Sequence, residues 1–216
     1  MKARSAIQHF AAGVVIAAVA SDLIPEVEKI GTIGGILGGF AAGGATMIGL
    51  KWLVLKFEAF EKKRHQLPVG LAAAAAVDTF IDGAIISAGF STSQQQLGML
   101  LTVALGIELF FLTLSVGTEF HKHKQKHWVG IAVTTGIALL LLVGALVAFL
   151  VLGDASETTL AIFLAFGAAA LIYLIAEELL VEAIEAEESL FSTAMLFTGF
   201  LVVLALKLFP HEAGLK

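Results

Sequence analysis

Residues 71–90 read LAAAAAVDTFIDGAIISAGF, an apolar stretch long enough to cross a lipid bilayer that nevertheless carries two aspartates near its centre. Asp78 and Asp82 are four residues apart, so in a helix they project from the same face, roughly 6 Å apart. Glu108 lies at a similar depth in the next apolar stretch. An ionised carboxylate in hydrocarbon costs several kcal/mol, so these acids are expected to face a partner, a cavity or a passing ion.

The composition indicates that the bilayer is the solvent of this chain. Of 216 residues, 58% are apolar and 14% are charged, and the mean hydropathy is +0.95. These values indicate an integral membrane protein. The chain contains no cysteine, so a metal ion would have to be bound by oxygen or imidazole ligands. The histidines are predicted at segment ends or in connections, which leaves carboxylates alone in the apolar interior; they are His9, His65, His121, His123, His127 and His211.

Seven apolar segments each hold the roughly 20 residues that a spanning helix requires. Open strands are excluded in lipid because their backbone groups would lack hydrogen-bond partners. The predicted fold is therefore all-α, a polytopic membrane bundle of seven transmembrane helices forming a single transmembrane domain over residues 1–216. The segments are about 6–25, 32–56, 68–91, 96–120, 128–152, 158–183 and 190–209.

Positive charge is concentrated on one side of this predicted bundle. By the positive-inside rule the amino terminus is cytoplasmic and the carboxyl terminus outside, in a plasma (inner) membrane. The first segment also resembles a cleavable signal peptide; we expect it to be retained, because it ends in SDLIPE at 21–26. Ten of the thirteen basic residues lie on the amino-terminal side: Lys2, Arg4, Lys51, Lys56, Lys62, Lys63, Arg64, Lys122, Lys124 and Lys126, against Lys29, Lys207 and Lys216 opposite.

Glycines recur every four residues in the second segment, a spacing that lets helices approach closely. One stripe is Gly31, Gly35, Gly39 and Gly43, and Gly34 and Gly38 repeat the spacing beside it. The stripe is expected to pack inside one bundle, and a homodimer interface is the alternative.

The three central acids are a candidate cation site. At about 1.5 Å per residue, Asp78 lies roughly 15 Å into its segment and Glu108 roughly 18 Å into the antiparallel one that follows, so both fall near the midplane. A divalent cation there would offset much of the cost of ionising Asp78, Asp82 and Glu108. Alternatively, the acids are protonated and bond helices together through hydroxyl groups; the candidates are Thr79, Ser87, Thr113 and Ser115.

Two further acidic groups flank the centre. Asp22 and Glu26 form an i, i+4 pair at the outer end of the first helix, either as the entrance of a cation pathway or as a solvated helix end. Glu177 and Glu178 lie towards the inner end of the sixth helix and are assigned to the exit side.

These motifs resemble those of the Zrt- and Irt-like (ZIP) divalent metal transporters. DTFIDG at 78–83 occupies the place of that family's H-N-x-P-E-G motif, and ELFFLTLSVG at 108–117 resembles the second such motif. SDLIPE at 21–26 is similar to the H-L-x-P-E helix end, and GAAALIYLIAEELLVEA at 167–183 to the penultimate helix. The resemblance covers nearly the whole chain. It implies a ZIP-like bundle lacking the usual first of eight helices, and a divalent metal as cargo.

The departures from the family pattern concern the metal. Ile81 and Phe111 replace the motif prolines, so proline kinks are not expected there. Leu139 and Leu140 stand where the family supplies a glutamate and a proline to a second metal, which implies one central site. Asp78 and Glu108 replace histidines, so the site is all-oxygen and favours harder ions than a mixed imidazole site.

The HKHKQKH sequence at 121–127 alternates imidazoles with lysines. Alternating histidines can capture an ion, but the interleaved positive charge opposes this. We interpret the run as a basic loop that sets topology and meets anionic lipid.

The sequence therefore predicts a carrier that moves a divalent metal ion inward, zinc, iron, manganese or another, by one group of helices rocking against another. No permanently bound cofactor, enzyme activity or nucleic-acid partner is expected, because the chain is acidic, with net charge −5, and lacks the corresponding motifs. The alternatives are a ZIP-like homologue that does not transport, acting as a metal sensor, scaffold or partner subunit, and, more weakly, a proton or monovalent-ion pathway.

Overall fold

The protein is described by a computed structural model covering residues 2–61, 69–93, 95–122, 126–179 and 190–212, and within these ranges it contains helices and short turns but no strand. Two π-helical turns, Val19–Leu23 and Ile175–Leu179, interrupt the series. The α-helices are α1 Lys2–Ala18, α2 Ile24–Ile30, α3 Ile33–Glu61, α4 Val69–Ser91, α5 Gln95–Lys122, α6 His127–Leu152, α7 Glu157–Leu174 and α8 Leu190–Glu212.

The predicted seven-helix membrane bundle is confirmed. Within the described residues, seven helices are long and apolar enough to span a membrane: Ser5–Ile30, Ile33–Lys56, Ala72–Ser91, Gln95–His121, His127–Leu152, Glu157–Glu177 and Leu190–Leu208. The last part of the predicted sixth segment, from residue 180 to 183, lies outside the described residues.

The first spanning segment is longer than the sequence predicts, ending at Ile30 rather than near residue 25. Pro25 lies inside it, directly after the π-helical turn. Proline has no backbone N–H and therefore leaves the carbonyl four residues earlier, that of Ser21, without its helical donor. The Lys207 ammonium group of α8 donates to that Ser21 carbonyl. The wider π turn thus lets the helix continue past the proline.

The helices associate in a nested order. The most extensive contacts join α1 to α8, α3 to α7 and α4 to α6, so the first spanning segment pairs with the seventh, the second with the sixth and the third with the fifth. The remaining helix, α5, packs against α4, α6 and α1. The contact register shows that α3 and α7 run parallel, because Gly39 meets Ile162 and Gly43 meets Phe166 one turn later.

Glycine sets the closest approach within each of these pairs. A Cβ atom on Gly83 of α4 would overlap the Leu141 carbonyl oxygen of α6, and one on Gly144 of α6 would overlap the Phe80 carbonyl oxygen of α4. Gly13 and Gly199 meet the backbones of α8 and α1 in the same way. Association in lipid depends on van der Waals packing rather than hydrophobic burial, so these crossings hold the pairs together.

The glycine-rich helix α3 uses one of its two stripes inside the bundle. Cβ atoms on Gly39 and Gly43 would overlap carbonyl oxygens of α7, whereas at Gly34 and Gly38 they would meet no atom within 4 Å. Packing within one chain therefore accounts for the inner stripe. The homodimer interface stays a prediction, and it would use the outer stripe.

Burial separates central helices from peripheral ones. In the first span, α4 and α7, 61% of the most apolar window is buried, against 17% in α3 and α8. The fully buried side chains include Leu23, Ile85, Leu164 and Leu171, which come from these three central elements. The aspartate-bearing helix α4 therefore lies at the centre of the bundle.

Gly144→Ala should destabilise the protein by about 1–3 kcal/mol, because the added methyl group forces α6 away from the Phe80 carbonyl of α4. Gly136→Ala is the matched control on the same helix, since a Cβ there would meet no atom within 4 Å. Thermal unfolding in detergent would measure both. Equal midpoints for the two variants would contradict the assigned α4–α6 crossing.

Candidate metal site

Three acidic side chains meet at the middle of the bundle. Asp78 and Asp82 of α4 and Glu108 of α5 each offer a carboxylate oxygen, and these oxygens all lie within 4.8 Å of one another. The side chains are buried, with relative exposures of 6%, 2% and 2%. The structure thus brings together all three residues that the sequence assigned to the central site.

The spacing of these oxygens suits a divalent cation. In a triangle whose sides do not exceed 4.8 Å, some point lies within about 2.8 Å of all three corners, close to the roughly 2.3–2.6 Å of calcium–oxygen bonds. Shorter bonds, about 2.0–2.1 Å for magnesium, require the three oxygens to move closer together. Two positive charges would offset much of the repulsion among three carboxylates in a low-dielectric interior.

Helix geometry explains why the three acids converge. Asp78 and Asp82 lie on either side of the middle of α4, which runs from Val69 to Ser91, and one helical turn places them on one face. Glu108 is at the middle of the α5 span, Gln95–His121, and α5 packs directly against α4. The crossing at Gly83 fixes α4 against α6 immediately beside the site.

The site stands alone in the described part of the chain, where no other group of three or more acidic, histidine or cysteine side chains could hold a metal ion. The expectation of a single central site stays a prediction. Leu139, which occupies a position assigned to a second metal by the family resemblance, is 54% exposed on the outer face of α6.

Two of the four hydroxyl groups proposed as partners of protonated acids, those of Thr79 and Thr113, do not bond to the triad. The Thr113 hydroxyl donates to the Leu109 carbonyl of its own helix at 2.8 Å. The Thr79 hydroxyl is fully buried and has no hydrogen-bond partner among the described residues. Neither the Thr79 nor the Thr113 hydroxyl therefore joins two helices in the way the alternative requires.

The two acids assigned to the entrance each contact a lysine. Asp22 lies 2.9 Å from the Lys207 ammonium and accepts a 2.5 Å hydrogen bond from the Ser21 hydroxyl. Glu26 is 2% exposed and lies 3.3 Å from Lys29. A solvated helix end does not describe Glu26, because its side chain is buried.

On the opposite side of the triad, Glu177 lies in the second π-helical turn and pairs with Lys51 of α3. The side chain of Glu178, also assigned to the exit, lies outside the described residues. A cavity of about 180 Å³ joins Asp78 to Glu177 and Lys51. Glu177 and the triad residue Asp78 therefore line one cavity.

Sequence reasoning missed the two lysines and one histidine. The positive-inside rule uses Lys51 and Lys207 only as indicators of topology. Each lies within or at the end of an apolar segment, and that position is the signal that could have identified them as partners of buried acids. His9 corrects the expectation of an interior without imidazole, because it is buried within the first span. Its Nδ1 lies 2.8 Å from the Ser5 carbonyl oxygen.

In the 121–127 run, the rings of His121 and His127 stack with centroids 5.4 Å apart. Residues 123–125 lie outside the described ranges. The lipid contact of this loop stays a prediction.

The fold and the site define an integral membrane protein, an all-α polytopic bundle with a buried acidic triad that could bind a metal ion. The chain matches no protein-family model and no curated protein sequence.

Glu108→Gln should weaken divalent-cation binding on the order of a hundredfold, because it removes one of three charges around the ion. Glu119→Gln makes the same chemical change on the same helix, outside the triad. Binding of Mn²⁺ to the detergent-solubilised protein, followed by electron paramagnetic resonance, would compare them. Equal affinities in the two variants would exclude Glu108 as a ligand.

Proposed function

We propose that the protein is a membrane carrier that moves a divalent metal cation through the site formed by Asp78, Asp82 and Glu108. The observation that carries this proposal is the convergence of three buried carboxylates, within 4.8 Å, midway along apolar helices. Ionisable groups at that depth are costly and typically mark ion pathways.

The ligand chemistry indicates the class of ion. Three carboxylates supply only hard oxygen ligands, which suit manganese, ferrous iron, magnesium or calcium better, relative to zinc, than imidazole does. The motif resemblance to the ZIP transporters favours zinc or iron. We therefore propose a divalent cation as substrate and expect no permanently bound cofactor.

Open space beside the assigned entrance and beside the central site supports a pathway. A cavity of about 250 Å³ lies beside Asp22 and Lys207, and the cavity of about 180 Å³ is lined by Asp78 and Glu177. We assign Asp22 and Glu26 to the entrance, and Glu177 with Glu178 to the exit.

The lysine distribution orients the proposed pathway in the membrane. Ten of the thirteen basic residues belong to the side on which the chain begins, which we assign to the cytoplasm of a plasma (inner) membrane. Transport from Asp22 towards Glu177 is then inward.

Uptake into vesicles tests the proposal. Asp82→Ala and Glu108→Ala should each reduce divalent-cation flux about tenfold or more, because each removes a charge that offsets dehydration of the ion. Asp154→Ala is the matched control, since Asp154 lies exposed in the turn after α6. Flux in both triad variants equal to that of the parent, for every divalent ion tried, would refute the carrier.

Two other outcomes would identify the alternatives. Tight binding to the triad without flux would favour a sensor, scaffold or partner subunit. Flux driven by a pH gradient in the absence of any divalent ion would favour a proton or monovalent-ion pathway.

A further inference from the structure

The cavity beside the central site is lined by a positively charged side chain of the protein itself, that of Lys51. Its polar lining is Asp78, Lys51, Tyr173 and Glu177, contributed by α4, α3, α7 and the π-helical turn that follows α7. Asp78 is also a corner of the acidic triad. One carboxylate therefore faces both the triad and the space in which the Lys51 ammonium lies.

The Lys51 ammonium donates to a Glu177 carboxylate oxygen at this cavity. The two side chains are 43% and 41% exposed, so a second cation can reach the pair.

Two backbone features lie next to the Lys51–Glu177 ion pair: a π-helical turn and a close helix crossing. Glu177 lies in a π-helical turn, a feature that often accompanies functional sites. The same two elements are in close contact along α3 and α7, where Gly39 and Gly43 touch the α7 backbone. The ion pair thus joins helices whose relative position is already fixed.

We infer that this cavity is the next cation-binding station after the central site, and that the Lys51 ammonium is its resident cation, which a departing metal ion must displace. The inference rests on the proposed function for the identity of the displacing ion. A divalent ion doubles the Coulomb attraction that one ammonium charge makes with Asp78 and Glu177, whereas a monovalent ion gains nothing. Lys51 therefore makes divalent charge a condition for leaving the central site.

Charge-selective thiol labelling tests the station without any metal. The chain contains no cysteine, so Ala74→Cys would place a single thiol on the cavity wall. The rate of reaction with a cationic methanethiosulfonate is divided by the rate with an uncharged one of similar size. This ratio cancels changes in the reactivity of the thiol itself and measures how readily a cation enters.

Adding Lys51→Gln to Ala74→Cys should raise this ratio about tenfold, because the resident positive charge is gone and Glu177 attracts the reagent. Adding Glu177→Gln as well should reverse most of the rise. Lys207→Gln is the matched control, since Lys207 pairs with Asp22 on the other side of the triad. A ratio unchanged by Lys51→Gln, or raised equally by Lys207→Gln, would overturn the inference.

Mn²⁺ stoichiometry separates this inference from the proposed function. The parent should bind one ion, Lys51→Gln two, and Lys51→Gln with Glu177→Gln one again. One ion in every variant, lost in Glu108→Gln, would refute the station and retain the central site. No Mn²⁺ bound by the parent would refute the central site, and the labelling ratio would then decide on the station alone.

Discussion

The close burial of three carboxyl groups is the constraint around which this bundle is organised. The oxygens of Asp78, Asp82 and Glu108 lie within 4.8 Å of one another, in surroundings where unlike charges attract and like charges repel far more strongly than in water. Interlocking backbone contacts at Gly83 and Gly144 hold the aspartate-bearing helix α4 against α6. Helix α5, which carries Glu108, packs against both α4 and α6.

A lysine side chain pairs with an acid at each end of the proposed pathway. Lys207 contacts Asp22 and Lys51 contacts Glu177, and each acid lies in a π-helical turn. Each pair also joins helices that cross closely through glycine, α1 with α8 and α3 with α7. The two ends thus repeat one arrangement, and the Glu177 side shares a cavity with Asp78 of the central triad.

The sequence predicted the spanning helices and the triad because both follow from local rules. Uninterrupted apolar windows fix the spans, an i, i+4 spacing places Asp78 and Asp82 on one face, and antiparallel neighbours bring Glu108 to the same depth. The lysine partners could not be predicted this way. Lys51 and Glu177 are 126 positions apart, so their contact depends on how α3 packs on α7. The π turn before Pro25 likewise depends on a Lys207 ammonium from the last helix.

The nested pairing of helices places two acids of the triad on one paired helix and the third on the unpaired helix α5. The separation of Asp78 from Asp82 is set by one turn of a single helix, and α4 is itself locked to α6. Glu108 belongs to α5, the helix left over when the other spans pair. The position of α5 relative to α4 is therefore the one coordinate that changes the size of the binding site. A displacement of α5 relative to α4 would alter the distances from Glu108 to both aspartates and leave the aspartate pair itself intact.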